Sequence, residues 1–194
     1  AGKDCDVLLM TATPIPRTLT MTIYGDMDLS IIREKPNIRK PVKTYSKLES
    51  NIDDIIKFVK KEIKLGNQIF WVCPLIEESK KIDHTSAIKK SEYLKKFFPK
   101  QVFLLHGKTT IEEKELILNK FLKNDFKILV STTIIEVGID FPNANVIVIE
   151  NANKFGLSQL HQLRGRVGRG NKESSCILMF KSNLSDNAKK RINI

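Results

Sequence analysis

The chain has 194 residues, of which 41% are hydrophobic, enough to bury a core and well outside the composition of disordered chains. No apolar run reaches the roughly 18 residues of a membrane span, and no signal-peptide stretch opens the sequence. The three cysteines have no metal-ligand spacing with the three histidines. This spacing predicts reduced, mostly buried thiols of a cytosolic protein. The net charge is +11, and residues 42–194 hold 27 basic and 17 acidic side chains, so almost all of the excess lies there. On charge alone, a polyanion partner and a lysine-rich solvated surface explain this excess equally well.

The first 41 residues differ from the rest of the chain. Val7–Thr11 predicts a short buried strand, Arg17–Tyr24 a helix, and Leu29–Ile32 a second strand. Glu34–Pro41 contains two prolines and has no periodicity, which predicts a linker. We therefore expect an appendage that is joined by this linker to the main domain.

From Val42 onward, short apolar runs alternate with stretches of helical periodicity. The predicted strands are Val42–Ser46, Gln68–Cys73, Val102–Leu105, Lys127–Ser131, Asn145–Ile149 and Ser175–Phe180. The predicted helices are Asn51–Leu65, a helix that follows a lysine-rich loop over residues 78–90 and ends near Phe98, Ile111–Leu122, and Leu157–Val167. This alternation predicts an α/β fold, in which helices cover both faces of a parallel sheet of apolar strands.

Helical periodicity also predicts which side chains face the core. In the helix Ile111–Leu122, we expect the inward residues to be Ile111, Leu118, Phe121 and Leu122. Gly66 directly follows the first helix of the main domain and is suited to cap its carboxyl end.

The segment Gln162–Arg169, QLRGRVGR, carries the sharpest chemical signal. On a continuous helix, Gln162, Arg166 and Arg169 would fall within an arc of about 60°. Planar guanidinium groups suit phosphate oxygens and would stabilise charge on a transferred phosphoryl group. A basic surface helix is the alternative interpretation of this segment taken alone. The apolar residues of the opposite side, which we expect to pack on the sheet, are Leu160, Leu163 and Val167.

The pattern Q-x-x-G-R-x-G-R is similar to the sixth motif of superfamily 2 helicases, and it does not stand alone. Thr11-Ala-Thr13 resembles the third motif, Thr132–Asp140 the fifth, and His106-Gly107 a smaller nucleic-acid-contacting motif, all in the order of that superfamily. Trp71–Ser79 and Tyr24–Asp28 resemble the RecG family of bacterial DNA helicases more than the related transcription-repair coupling factor. The resemblance covers nearly the whole chain and implies a RecA-like helicase domain.

The resemblance implies a role in the nucleotide site for five residues. Arg166 and Arg169 would be arginine fingers that reach the γ-phosphate of ATP. Gln162 would position these arginines or the nucleotide. Gly138 and Asp140 would contact the nucleotide, with the aspartate near the ribose.

The resemblance also implies contacts with DNA at five positions. Hydroxyl and backbone N–H groups there would hold phosphates at the carboxyl ends of strands, where such sheets bind ligands. The arginine of the group would touch DNA from the appendage. The matched residues are Thr132, Thr133, His106, Gly107 and Arg17.

Thr11 and Thr13 would couple the ATP state to the DNA track. Each matched residue has a plain structural alternative when it is taken singly. Asp140 before Phe141-Pro142 fits a turn, the two threonines of the fifth motif fit a helix cap, and a lone histidine after a strand is more often structural. The ordered set of motifs, and no single residue, favours the helicase interpretation.

Two stretches imitate parts of an ATP site and are rejected. Gly107-Lys108-Thr109 ends like the phosphate loop G-x-x-x-x-G-K-[ST], but the position of the first glycine is Val102, inside a predicted strand. Val146–Glu150 imitates the acidic strand of a metal site, but Asn151 follows in place of a second acid. The ATP-binding lysine and the magnesium-binding carboxylates are therefore expected on a first motor domain that precedes residue 1.

The resemblance thus implies a second motor domain in residues 42–184. The tail of the first motor domain and a linker would fill residues 1–41, and residues 185–194 would begin a truncated helical hairpin. Because the sheet of the first domain is missing, residues 1–35 are expected to be displaced, disordered or packed on a neighbouring molecule.

The parent protein would be a cytoplasmic bacterial ATP hydrolase of DNA repair and recombination. Its implied partners are ATP, Mg²⁺, branched or forked DNA, and its own first motor domain and wedge domain, with no membrane involved. The isolated chain would hydrolyse nothing. A transcription-repair coupling translocase and a non-catalytic nucleic-acid-binding module remain as alternatives.

Overall fold

The computed structural model describes residues 40–74, 80–132 and 141–182, together with Met10, Ser30 and Leu184, and for residues 80–86 it describes the backbone alone. The chain divides into two compact units, Ala1–Pro36 and Asn37–Ile194. Apart from Met10 and Ser30, the expectations for residues 1–39 lie outside the described residues, as do those for 185–194. No helix in the described ranges is long and apolar enough to cross a membrane.

The second unit is built on one six-stranded sheet in which every pairing is parallel. The order of the strands across the sheet is β1-β6-β5-β2-β4-β3. The two central strands, β5 and β2, are buried along their whole length, which explains their continuous apolar sequences. The strands are β1 Val42–Leu48, β2 Gln68–Val72, β3 Val102–Leu105, β4 Ile128–Ser131, β5 Ala144–Ile149 and β6 Ser174–Phe180.

Four helices connect the strands and cover both faces of the sheet. The helices are α1 Ile52–Lys64, α2 Lys80–Phe97, α3 Ile111–Leu122 and α4 Leu157–Arg164, and two short 3-10 helices span Glu49–Asn51 and Ala152–Lys154. Buried residues form two separate clusters, one between the sheet and α1 and α2, and the other between the sheet and α3 and α4. The predicted α/β fold with helices on both faces is therefore confirmed.

Local sequence signals set the ends of two helices. The hydroxyl of Thr110 accepts the backbone N–H of Glu113, and the carboxylate of Glu113 accepts that of Thr110, each at 3.2 Å, which forms the capping box that starts α3. Gly66 has a φ of +83°, the left-handed conformation that ends a helix, so its predicted capping role after α1 is confirmed.

Two expectations about the helices are wrong. The stretch of the lysine-rich loop from residue 80 onward is the start of α2, because lysine favours the helix even where apolar periodicity is absent. Leu118 and Phe121 are buried as expected, but Ile111 and Leu122 are 77% and 43% exposed. Both stand at the ends of α3, whose 12 residues extend beyond the cover of the four-residue strands β3 and β4.

Candidate nucleotide and nucleic-acid sites

The helix predicted to run from Leu157 to Val167 ends at Arg164, so the single helical face expected for Gln162, Arg166 and Arg169 is wrong. The backbone N–H of Gly165 donates to the carbonyl of His161 at 3.0 Å, which closes the last turn. Gly168 then has a φ of +74°, which turns the chain away from the helix axis. Gln162 remains on α4, and the two arginines lie on residues 165–170, which we call the arginine turn.

The arginine turn lies where strands begin, an edge of the sheet that we call the amino edge. A Cβ on Gly168 would meet Val42 at 3.1 Å and Ser174 at 3.2 Å, and these are the first residues of β1 and β6. A Cβ on Gly170 would lie 3.1 Å from the carbonyl oxygen of Pro142, two residues before β5. Both positions therefore need glycine for close packing.

A buried polar network supports the amino edge beneath the turn. The hydroxyl of Ser174 donates to Asn145 Oδ1 at 3.2 Å, and Asn145 Nδ2 donates to Asn67 Oδ1 at 3.0 Å. On the surface, Lys43 forms an ion pair with Glu173 at 2.9 Å, and its hydrogen bond and charge lower the pKa of that carboxyl group. The residues that flank the turn are thus fixed both inside and outside.

Apolar side chains hold the turn while polar ones face outward. Leu160, Leu163 and Val167 are all buried against the sheet, so this prediction is confirmed. Gln162 and Arg166 are half-buried, and Arg169 is exposed. The turn therefore presents two guanidinium groups from an anchored backbone.

A second group of predicted site residues lies where strands end, at the carboxyl edge. The backbone N–H of Thr132, which follows β4, donates to the carbonyl of Leu105 at the end of β3, at 3.4 Å. His106 and Gly107 come directly after Leu105, so neighbouring strands bring these residues close to Thr132. Thr132 is buried, whereas a Cβ on Gly107 would meet nothing within 4 Å.

The residues after β3 form a compact turn and not a phosphate loop. The N–H of Thr109 donates to the carbonyl of His106 at 3.0 Å, and the N–H of His106 donates to the Thr109 hydroxyl at 3.1 Å. Nδ1 of His106 also accepts the backbone N–H of Lys108 at 3.2 Å. The histidine therefore has a structural role in shaping this turn.

The other predicted site residues lie outside the described residues: Thr11, Thr13, Arg17, Thr133, Gly138 and Asp140. The described chain reaches the carboxyl edge at Thr132 and resumes at Phe141, close to the amino edge. Phe141 is buried there, with its ring centroid 5.6 Å from that of Phe70 and 5.4 Å from that of Phe121.

Sequence reasoning missed a buried cluster at the carboxyl ends of β2 and β5. Glu150 Oε1 accepts Trp71 Nε1 and forms an ion pair with Lys90 Nζ, both at 2.8 Å. Burial, together with the nearby Glu150 charge, raises the pKa of the Cys73 thiol well above its usual value. No local signal could have found this cluster, because its members lie far apart in the sequence.

The carboxylate of Glu150 is thus engaged by neighbouring side chains. Among the residues that the structure describes, no group of three His, Cys, Asp or Glu side chains could hold a metal ion. Of the three cysteines, Cys73 and Cys176 are free and buried, as expected.

Comparison with known proteins defines the class of this fold. Residues 50–171 match the helicase conserved C-terminal domain, and the chain belongs to this family. A solved structure of S. cerevisiae Dbp5 bound to RNA and ADP BeF3 shares the fold, with a TM-score of 0.69 at 20% identity. The match covers 99% of this chain and 48% of the Dbp5 chain.

Within this family, the chain is similar to the ATP-dependent DNA helicase RecG. It is 50% identical to RecG of Bacillus subtilis over 100% of this chain and 28% of that protein, and 49% identical to RecG of Thermotoga maritima over 92% and 23%. A structure of RecG bound to a three-way DNA junction matches with a TM-score of 0.78 and 44% identity, over 94% of this chain and 24% of that one. The chain thus spans about a quarter of the length of these relatives, and its predicted resemblance to RecG is confirmed.

Proposed function

We propose that the chain is the second motor domain of an ATP-dependent DNA helicase or translocase that acts on branched DNA. The observation that carries this proposal is the arginine turn, whose backbone is fixed by Gly168 and Gly170 while Arg169 stays exposed. Similarity to RecG, including the RecG bound to a three-way junction, supports the substrate class. In such a parent, the domain takes part in fork regression, recombination and repair in the bacterial cytoplasm.

The arginine turn fits the triphosphate of an ATP that is held mainly by a first motor domain with Mg²⁺. Guanidinium groups are always charged and offer forked donors that match phosphate oxygens. Arg166 and Arg169 stabilise the charge that develops on the transferred phosphoryl group, and the rigid turn avoids reorganisation at that moment. Gln162, one turn away on α4, positions these arginines or the nucleotide. Gly138 and Asp140 complete the nucleotide contacts in this proposal.

DNA is assigned to the opposite, carboxyl edge. His106, Gly107 and Thr133 hold backbone phosphates there, and Gly107 leaves the space that a close approach needs. Thr132 is buried and its N–H already donates to Leu105, so it supports this edge from within. Arg17 adds a further DNA contact, while Thr11 and Thr13 couple the nucleotide state to the DNA. Because the two edges face different ligands, closing and opening of the two motor domains can move the DNA contacts stepwise.

The parent protein therefore works through several partners: branched or forked DNA, its own first motor domain and its wedge domain. The isolated chain hydrolyses no ATP in this proposal, since the rejected stretches at Gly107–Thr109 and Val146–Glu150 offer no phosphate loop or metal site.

The test is DNA-stimulated ATP hydrolysis by the parent protein that carries this chain. We expect Arg169→Ala to lower kcat by about 10³-fold or more, the usual contribution of an arginine finger, while Kd for forked DNA changes little. Lys172→Ala, an exposed cation two residues beyond the turn, is the matched control and should hydrolyse ATP normally. Normal ATPase together with weakened DNA binding in Arg169→Ala would instead support the non-catalytic nucleic-acid-binding module.

A further inference from the structure

The carboxyl-terminal ends of α1 and α2 carry a group of exposed lysines that neither candidate site uses. Together they form one surface, which we call the lysine patch. It consists of Lys60, Lys61, Lys64, Lys96 and Lys100.

Direct contacts join the two helix ends into this surface. Lys60 Nζ on α1 lies 5.5 Å from the ring centroid of Phe97 on α2. The ring of Tyr93 packs against Phe97 with their centroids 5.1 Å apart and an interplanar angle of 61°. Phe97 directly follows Lys96 in sequence, so a lysine of α2 is adjacent in the chain to the ring that Lys60 of α1 contacts.

The patch is far from the proposed DNA contacts of the carboxyl edge. Helices α1 and α2 end directly before β2 and β3 begin, so the patch lies towards the amino edge, on the face of the sheet that these two helices cover. The arginine turn belongs to the opposite face, which α3 and α4 cover. The patch is thus a separate surface of the molecule.

Positive charge dominates this surface. The carboxylates on the same helix ends are Glu62, which accepts Asn67 Nδ2 at 2.6 Å, and Glu92, so the patch lysines outnumber the negative charges beside them. The negative ends of the two helices favour lysines in their last turns. That effect does not account for Lys100, which lies beyond the helix with a φ of +60°, a conformation that glycine adopts more easily.

We propose that the lysine patch binds the sugar-phosphate backbone of double-stranded DNA. Lysine ammonium groups are compact charges that bind phosphates without reading sequence. Single-stranded DNA is disfavoured, because it needs several open aromatic faces for base stacking, and the one exposed ring of the patch, Phe97 at 36%, already contacts Lys60 and Tyr93. The choice of a duplex arm rests on the proposed function, since a protein that acts on branched DNA has a second duplex arm to hold.

The experiment measures binding of this chain to a short blunt duplex by fluorescence anisotropy over a series of salt concentrations. In the patch variant, Lys64, Lys96 and Lys100 are changed to glutamine. The control variant changes three other exposed lysines, Lys120, Lys123 and Lys154, so both lose the same charge. We expect the patch variant to bind about tenfold more weakly and the slope of log K against log salt to fall by roughly 0.9 for each lost contact, with at most a twofold change in the control.

Further variants make the result specific. Changing the same three patch lysines to arginine should restore duplex binding, and the thermal midpoint of the glutamine variant should fall only slightly, because all three side chains are exposed and only the weak attraction of Lys64 and Lys96 to the helix ends is lost. Equal losses in patch and control variants, or no loss in either, would overturn the proposal. So would a patch variant that loses only single-stranded DNA, or only polyglutamate as an acidic-protein probe.

The inference does not depend on ATP hydrolysis. The duplex-binding assay contains no nucleotide, so its result is read separately from the ATPase of the parent. A failed patch experiment therefore leaves the proposed motor function standing, and a failed ATPase experiment leaves the patch standing.

Discussion

At the carboxyl edge of the sheet, a buried network is built around the Glu150–Lys90 ion pair, whereas at the amino edge closely packed glycines lie over a buried network of neutral side chains. Glu150, Lys90 and Trp71 form a buried network at the ends of β2 and β5. Around the arginine turn, the closest contacts involve glycines, with Gly168 against Val42 and Ser174.

The glycines of the two edges show the same contrast. A Cβ on Gly107 at the carboxyl edge would meet open space, while one on Gly168 or Gly170 would meet atoms at 3.1 Å. An open glycine suits the approach of an external ligand such as a DNA phosphate. A packed glycine suits a turn that must hold charged side chains at a fixed position. The glycine of one helicase-like motif therefore leaves open space, whereas the glycine of the other allows close packing.

The largest effect on stability is expected from the side-chain network of the carboxyl edge. Lys90→Met leaves the carboxylate of Glu150 buried without its cation, which should lower the free energy of unfolding by about 3 kcal/mol. Urea denaturation measures this change, with Lys89→Met, an exposed neighbour on the same helix, as the control.

Adding Glu150→Gln to Lys90→Met should recover part of the loss, since glutamine is neutral and still accepts the indole N–H of Trp71. A loss below about 1 kcal/mol for Lys90→Met would place this pair among weak surface ion pairs and remove the proposed difference between the edges.

The next largest effect on the free energy of unfolding is expected when one glycine from each edge is changed to alanine. Gly168→Ala forces alanine into a φ of +74° and against Val42 and Ser174, so we expect the free energy of unfolding to fall by about 2 kcal/mol. Gly107→Ala has no close neighbour and should leave it unchanged within about 0.5 kcal/mol. Thermal or urea unfolding of the two variants side by side measures both. Equal stability of the two would show that the arginine turn is not held by its glycine.

Most of the fold was predictable because its signals are local. The strand Val102–Leu105 and the helix Ile111–Leu122 were predicted with the bounds that the structure shows, since an apolar run and helical periodicity mark them in the sequence. The arginine turn was not predictable in the same way. Extending the helix past Gly165 takes no account of how Gly168 packs on β1 and β6. That packing is a tertiary contact, which the local sequence does not reveal.

The candidate sites also combine features that the sequence predicts with features that only the tertiary structure determines. The resemblance of the ordered motifs, and no residue type alone, was the reason to expect phosphate contacts from the two arginines and from the histidine-glycine pair. Their placement on opposite edges required the strand order, because neighbours in the sheet such as β3 and β4 bring Leu105 and Thr132 together. The Glu150–Lys90 pair depended wholly on that topology.

The smallest effect concerns two buried thiols, one near each edge. Burial raises the pKa of Cys176 to about 12, against a weak opposing effect of the Arg164 charge, and burial also raises the pKa of Cys73. The stabilisation from burying these neutral thiols is complete below their usual pKa of 9.0 and is lost as the pH rises from there towards the folded values. At pH 8.5, iodoacetamide should therefore modify Cys73 and Cys176 only slowly in the folded chain, as followed by peptide mass spectrometry.

Lys90→Met makes this measurement a test of the two edges. Loss of the cation loosens the network around Glu150, so alkylation should become a few-fold faster at Cys73, whose thiol lies 3.8 Å from that carboxylate, and stay slow at Cys176 on β6. The local opening that exposes a thiol follows the stability of its own surroundings and not of the whole domain. Equal acceleration at both cysteines would show that the two edges open together, in which case the contrast between them describes contacts but not separate units of stability.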